Sequence, residues 1–325
     1  MDFIDLFHSE SNNGKLMKKS KYWRAFPIIL SSVLLFSCSG EKRETLTSGS
    51  ITMMTSEDVY PVINIQVGDF QRMYEEVKIK NISVSTREAV VHMLNDSIKL
   101  IVCAGELNDE EKSVIAKNDL EIDSTKIAYD GIAVIVNKKN SLDRLTTDEI
   151  NALLSGATAR WSQVKGSDLS SAVIVAMGDQ NSGVYKFMRS RMVPGVKFTA
   201  NAFPCSTTTE VFSVVSERPN AVGFVGVSWL SKMPENLRVI ELGDPRFRRD
   251  STITEMEYFT PHQANIYRKY YPFSRTVYIY SHNVGKGVGM GYTAFAASSD
   301  GQKIIVSNGL VPATMPVRLV QLNTP

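Results

Sequence analysis

The chain has 325 residues, of which 43% are hydrophobic and 22% charged, and its formal net charge is +2. That is enough apolar material for two cores, and it excludes a disordered or collagen-like chain. The balanced charge lacks the basic surface that nucleic-acid binding requires, and no apolar stretch is long enough to span a bilayer.

Lys15, Lys18, Lys19, Lys21 and Arg24 precede an apolar run from Phe26 to Phe36. A charged region followed by so short a run reads as a signal peptide over residues 1–37, and Met17 before Lys18 and Lys19 is a better start for it than Met1. The run ends Leu35-Phe36-Ser37-Cys38, which resembles the lipobox of bacterial lipoproteins, where the cysteine becomes the acylated first residue. Phe36 is bulkier than usual there, and the alternative is a plain signal with a chance cysteine. Cleavage before Cys38 removes five of the 36 basic and three of the 34 acidic residues and leaves 31 of each. Residues 38–45 then form a polar tether.

Beyond the tether, Ser50–Thr55 reads as a strand, Ser56–Tyr60 as its loop and Pro61–Tyr74 as a helix, with proline in the first turn where its missing N–H is tolerated. Val77–Val84 alternates as a second strand. Ser85 and Glu88 form a capping box for a helix Thr86–Leu94 that carries Arg87 in its first turn. Lys99–Cys103 is a third strand and Asp109–Asn118 a further helix. The alternation βαβαβα implies a mostly parallel sheet with helices on both faces and a ligand beyond the carboxyl ends of its strands. Ile127–Asn140 follows, and its continuous apolar run from Ile132 to Val136 predicts a buried strand.

Further on, Val173–Ala176 reads as a strand, Gly178–Gly183 as a loop and Val184 onward as a helix whose N-cap is Asn181 or Ser182. Unpaired amides and the positive end of the helix dipole would face that loop, an arrangement that holds anions without a lysine. Strand, loop and capped helix also recur in α/β proteins that bind nothing, so the stretch alone does not decide.

Tyr129-Asp130-Gly131-Ile132-Ala133-Val134-Ile135-Val136-Asn137, Leu145-Thr146 through Leu153-Leu154-Ser155-Gly156, and Trp161-Ser162-Gln163-Val164 resemble segments of the phosphate-specific solute-binding proteins of bacterial ABC transporters. The likeness continues through Ala221-Val222-Gly223-Phe224-Val225-Gly226 with Trp229-Leu230, Tyr271-Pro272-Phe273-Ser274-Arg275-Thr276-Val277-Tyr278-Ile279-Tyr280, and Gly301 to Pro312. It covers nearly the whole chain after the signal. Several of the segments have structural explanations, such as the capping boxes Thr146/Glu149 and Thr207/Glu210 and the helix stop at Gly156. The resemblance implies the α/β, two-lobed periplasmic binding protein fold (type II), each lobe a mostly parallel sheet flanked by helices, with a two-strand hinge. Ile132–Val136 would be the first crossing and Thr276–Tyr280 the return. Lobe one would be residues 46–131 with 282–325, and lobe two 132–281. Cys103 and Cys205, falling in different lobes, are read as buried free thiols, since a bridge would block lobe movement.

The resemblance also implies an oxyanion held between helix N-termini of both lobes. Three segments stand in those places and give the candidate ligand-binding residues: Ser56, Asp58 and Val59; Ser85, Thr86 and Arg87; Asn181, Ser182 and Gly183. Against the family pattern Arg-x-x-x-Ser-Gly-Thr, this chain keeps Ser182 and Gly183 but has Gly178 and Val184 in the Arg and Thr places. Ser85-Thr86-Arg87 replaces a Gly-Ser-Gly turn, Lys99, Cys103, Ala104 and Gly105 replace an aspartate and a Ser-Ser-Arg run, and Asp58 stands near a hydroxyl donor's place.

Two readings follow. In one, Arg87 replaces the lost cation, Ser182, Ser85 and Thr86 supply hydroxyls, and Asp58 accepts from a protonated oxyanion, which rejects fully ionised anions such as sulfate. In the other, phosphate specificity is lost and Asp58 and Arg87 are an N-cap and a solvated helix residue.

His8, His92, His262 and His282 form no metal-ligand pair at helical spacing, and Ser182 is not in a nucleophile elbow. No enzyme activity, metal or cofactor is expected. The expected partners are phosphate or a similar small oxyanion, an ABC transporter permease, and a bacterial membrane reached through the lipid at Cys38, on its periplasmic or cell-surface side. The chain is expected to be a monomer that binds no nucleic acid. The alternative is a non-transporting lipoprotein of the same fold with an altered cleft, acting as a sensor or interaction module. Six tyrosines between Tyr258 and Tyr280 are either its surface or hinge packing.

Overall fold

The structure, a computed structural model, describes residues 44–191, 197–199, 201–250, 252 and 254–314. The signal peptide, Cys38 and all but the last two residues of the tether lie outside them. The described residues belong to one compact unit.

Strand β1 (Gly49–Ser56) leads through a 3-10 turn, Glu57–Val59, into helix α1 (Tyr60–Met73). Strand β2 (Val77–Val84) and helix α2 (Thr86–Leu94) follow, then β3 (Leu100–Ala104) and α3 (Asp109–Lys117). The Ser85 hydroxyl accepts from the Glu88 amide at 3.2 Å, one of the two bonds of the predicted capping box, and fixes where α2 starts. β1 pairs in parallel with β2 and with β3, so one end of these strands gathers the starts of α1 and α2.

Strand β4 (Ile122–Asn137) is 16 residues long and belongs to both halves of the molecule. Its first part pairs antiparallel with β11 (Ser274–His282), which in turn lies antiparallel to β3. From Ile132 it pairs instead with β8 (Ala221–Gly226), again antiparallel. β8 runs parallel to β6 (Ile174–Gly178), and β6 to β7 (Ala202–Cys205). Among the described residues the sheet order is β2-β1-β3-β11-β4-β8-β6-β7, with β9 (Leu237–Val239) and β12 (Val311–Pro312) also on β4. Each half is thus mixed rather than mostly parallel: β2, β1 and β3 run parallel in the first and β8, β6 and β7 in the second, while every pairing of β4 and β11 is antiparallel. β5 (Arg144–Thr146) and β10 (Glu241–Gly243) form a separate parallel pair.

The capping box predicted at Thr146 is complete and opens α4 (Thr147–Ser155), which ends at Gly156 with φ 80°. Helices α5 (Gly183–Arg191) and α6 (Thr208–Glu217) follow β6 and β7, and a 3-10 segment, Val227–Lys232, follows β8. Helix α7 (Gln263–Tyr267) precedes β11, and α8 (Val288–Ala297) and α9 (Ser299–Ser307) return to the first half.

The second half packs around Ile132–Val136, Trp161 and Phe224. In the first half, Met53, Ile63, Phe70 and Tyr292 fill one side of the sheet, and Met93, Ile101, Tyr278 and Tyr280 the other. Each such fully buried side chain contributes roughly 1.5–3 kcal/mol. Tyr271, Tyr278 and Tyr280 are core residues, whereas Tyr267 is exposed.

The return crossing differs from expectation. Thr276–Tyr280 pairs along its length with β3 and the first part of β4, so it lies wholly in the first half. The chain changes halves at Phe273, whose carbonyl accepts from Ile132 N at 2.9 Å. Tyr271 Oη donates to Ile132 O at 2.7 Å beside it. The apolar sequence marked a buried strand but carried no information on which sheet receives it. Cys103 and Cys205 are both free and buried, and burial pushes both thiols up to about 12.

Candidate binding site

The carboxyl ends of β1, β2, β6 and β7 bring four loops together over a cavity of about 50 Å³, the last of them contributing Ser206, Thr207 and Thr208. Its lining includes Glu57 and Asp58 after β1, Ser85 and Thr86 after β2, and Ser182, Gly183 and Val184 after β6.

Directly behind Asp58, outside the lining itself, lies Arg275 of β11. Its guanidinium is buried between two carboxylates. Nη2 and Nε both donate to Asp130 Oδ2, at 2.7 and 3.0 Å, and Nη1 stands 2.7 Å from Asp58 Oδ2. The latter approach lacks hydrogen-bond alignment, so Arg275 Nη1, both Asp58 oxygens and Asp130 Oδ1 are buried without a hydrogen-bond partner among the described residues. Buried polar groups normally have partners, so this concentration of unpaired donor and acceptor atoms marks the place. Burial raises the Asp130 carboxyl to about 6 against the opposing pull of Arg275.

Gly183 closes the site from the second half. A Cβ there would collide with Asp58 Oδ2, lie 2.7 Å from Thr86 Oγ1 and 3.2 Å from Arg275 Nη1, so only glycine permits this approach of α5. Ser182 caps α5: its hydroxyl accepts from Tyr185 N and its carbonyl from Lys186 N, both at 3.1 Å. The first-turn amides of Gly183 and Val184 are left for the cavity, with the positive end of the α5 dipole behind them. Ser182 also packs over Gly178, in the space a side chain there would need. On the opposite wall, Thr86 and Ser56 share a hydroxyl hydrogen bond of 3.0 Å.

Of the nine candidate residues, Asp58, Ser85, Thr86, Ser182 and Gly183 line the cavity, and Ser56, Val59, Arg87 and Asn181 do not. Arg87 is exposed; its backbone amide donates to Asn181 O at 3.0 Å and its side chain does not line the cavity. Being in the first turn of α2 determines where its amide points, while its side chain projects outward. Val59 is buried in the core of the first half, at the N-cap of α1. The Asn181 side chain lines a neighbouring pocket with Tyr185 and Phe203.

A PBP superfamily domain model matches residues 40–300. The chain belongs to the PBP superfamily. Among curated members, the phosphate-binding protein PstS of Staphylococcus saprophyticus is 24% identical over 268 residues, 80% of each chain. A solved structure, a putative phosphate ABC transporter substrate-binding protein with bound phosphate from Clostridium perfringens, aligns with a TM-score of 0.69 at 20% identity, over 82% of this chain and all of that one. An ABC-type phosphate transport receptor from Vibrio cholerae aligns with a TM-score of 0.62 at 19% identity, again over 82% and 100%. These likenesses establish the two-lobed α/β fold of periplasmic binding proteins.

In this PBP-superfamily cleft, sequence analysis missed Arg275, Asp130 and Glu57. The first two lie inside segments that carried the resemblance, one on each strand of the junction, and they face each other in register. The available signal was a charge of each sign in an otherwise apolar strand, because such residues are rarely buried unless paired.

Proposed function

We propose that the chain is a lipid-anchored solute-binding protein that captures a small oxyanion, phosphate, between its lobes for delivery to an ABC transporter permease. The observation that carries this reading is the convergence of Asp58, Thr86 and the α5 first turn on one cavity, with the buried Arg275 guanidinium directly behind Asp58. The amides, the hydroxyl and the guanidinium donate to the anion, and Asp58 accepts from its P–OH. A fully ionised anion such as sulfate has no hydrogen for Asp58 and is repelled. Charge-assisted hydrogen bonds of about 1.5–3 kcal/mol each, several together, supply more than the roughly 8 kcal/mol of micromolar affinity before ordering is subtracted.

In this reading the lobes are residues 44–131 with 274–314, and 132–273, hinged where β4 and β11 meet. The anchor is Cys38, the setting is the periplasmic or cell-surface side of a bacterial membrane, and the protein acts as a monomer without doing chemistry on its ligand. The kinship to named phosphate-binding proteins over four-fifths of the chain supports it.

The test is calorimetry on the chain from Ser39, freed of carried ligand by unfolding and refolding, with phosphate and then sulfate. Micromolar or tighter phosphate binding without a sulfate response is the expected result. Silence with both, from folded protein, overturns the reading.

A further inference from the structure

The 3-10 turn after β1 places two carboxylates side by side in the cavity lining. Asp58 meets Arg275, whereas Glu57 meets the opposite half. Glu57 Oε1 accepts from Thr208 N and its Oε2 from Thr208 Oγ1, both at 2.9 Å. Thr208 is the first residue of α6, a ten-residue helix of the opposite half. A carboxylate seated across the first amide and hydroxyl of a helix makes the same contacts as a bound anion would make there. The place is filled by the protein itself.

The backbone behind Glu57 is also held by the opposite half. Trp229 Nε1 donates to Glu57 O at 2.9 Å and Ser228 Oγ to Asp58 O at 2.7 Å. These two donors follow Gly226, which pairs with Ile132 at the junction, so they lie near the pivot and hold the turn in place. The Glu57 carboxylate reaches from there to the start of α6. Elsewhere the halves meet through the Arg87 amide on Asn181 O, through Gln263 Nε2 on Val306 O and Leu310 O at 2.8 and 2.7 Å, and through Lys186 Nζ on Glu111 Oε2 at 2.8 Å. The last pair is partly exposed and contributes about 0–1 kcal/mol. Hydrogen bonds to a charged carboxylate are the stronger kind, and Glu57 makes two.

We propose that Glu57 is an interlobe latch: an internal anion that occupies the α6 N-terminus and holds the cleft closed without ligand. The α5 N-terminus with Arg275 remains for the oxyanion. By adding its two hydrogen bonds to the closed form alone, the latch makes an incoming anion wait for it to open, and removing it shifts the population toward the open form. The inference goes beyond the proposed ligand and holds whatever the anion is.

The test compares ligand-free chain from Ser39, unchanged and as Glu57→Ala and Glu57→Gln, by small-angle X-ray scattering and by amide hydrogen exchange. Thermal melting confirms that each is folded. The unchanged chain is expected to scatter as the closed form, with a radius of gyration that inorganic phosphate does not reduce. Glu57→Ala is expected to give a larger radius and at least tenfold faster exchange at Thr208, and Glu57→Gln, which keeps one acceptor, to fall between. Should Glu57→Ala not fold, Thr208→Ala carries the same scattering comparison by removing the hydroxyl donor. An unchanged radius, or an unchanged Thr208 exchange rate, overturns the latch. If the radius and exchange move as stated but no form binds phosphate in calorimetry, the latch stands and the proposed ligand falls.

Discussion

Arg275 is the residue on which the site turns. It is 6% exposed and lies between Asp58 and Asp130, so its removal leaves two carboxylates buried with no cation. Breaking a buried ion pair from one side costs about 3–5 kcal/mol. Arg275→Ala is therefore expected to lower the urea midpoint by that much stability and to abolish phosphate binding. Arg87→Ala, which keeps the backbone amide that meets Asn181, is expected to leave affinity within about twofold, since the side chain it loses is exposed. Calorimetry on the two variants separates the two arginines. A loss on Arg87→Ala with Arg275→Ala unaffected would reverse the assignment. At this scale the sequence led to Asp58 and Thr86 because loop position is local information. It set the Arg87 side chain toward the cavity, whereas the structure has it exposed, because the direction of a side chain around a helix start depends on where the helix docks; it was silent on Arg275 because only strand register sets that residue against Asp130 and so beside Asp58.

At the scale of elements, most of what positions the site is written locally. β2 occupies the predicted Val77–Val84, since alternation over eight residues has one reading, and Thr146 and Ser182 cap where short-range chemistry says they do. β4 begins five residues before the predicted Ile127, because its polar first residues are held as a strand by β11, whose paired residues lie more than 150 positions away in the sequence. The approach of α5 to the opposite half is equally non-local. A Cβ at Gly183 meets Asp58, Thr86 and Arg275 at once, two of them charged groups fixed by their own ion pairs. Gly183→Ala is thus expected to keep each half folded, with a melting temperature near that of the unchanged protein, while preventing closure. The measurements are a larger scattering radius and a phosphate affinity at least tenfold weaker. Unchanged affinity and radius would mean that α5 does not close on the site.

At the scale of the molecule, the buried ions sit at the junction of the halves, one residue from where β4 changes sheets. Asp130 precedes Gly131 there, and its carboxyl is raised from 3.8 to about 6, chiefly by burial, with the neighbouring Asp58 adding to the effect and Arg275 opposing it. One guanidinium cannot fully neutralise two buried carboxylates, so retention of a proton by one of them is the physical consequence. The folded form then binds a proton at Asp130 more tightly than the unfolded chain does. Its contribution is fully present below pH about 4, is lost as the pH rises through about 6, and is constant above that. Asp130→Asn keeps the shape of the protonated acid and removes its titration. The stability of the unchanged protein minus that of Asp130→Asn, from urea unfolding at intervals between pH 4.5 and 7.5, is expected to fall by about 2 kcal/mol across the range. A difference that rises with pH would mean that the ion pair with Arg275 outweighs burial and that the junction is held by a fully charged triad.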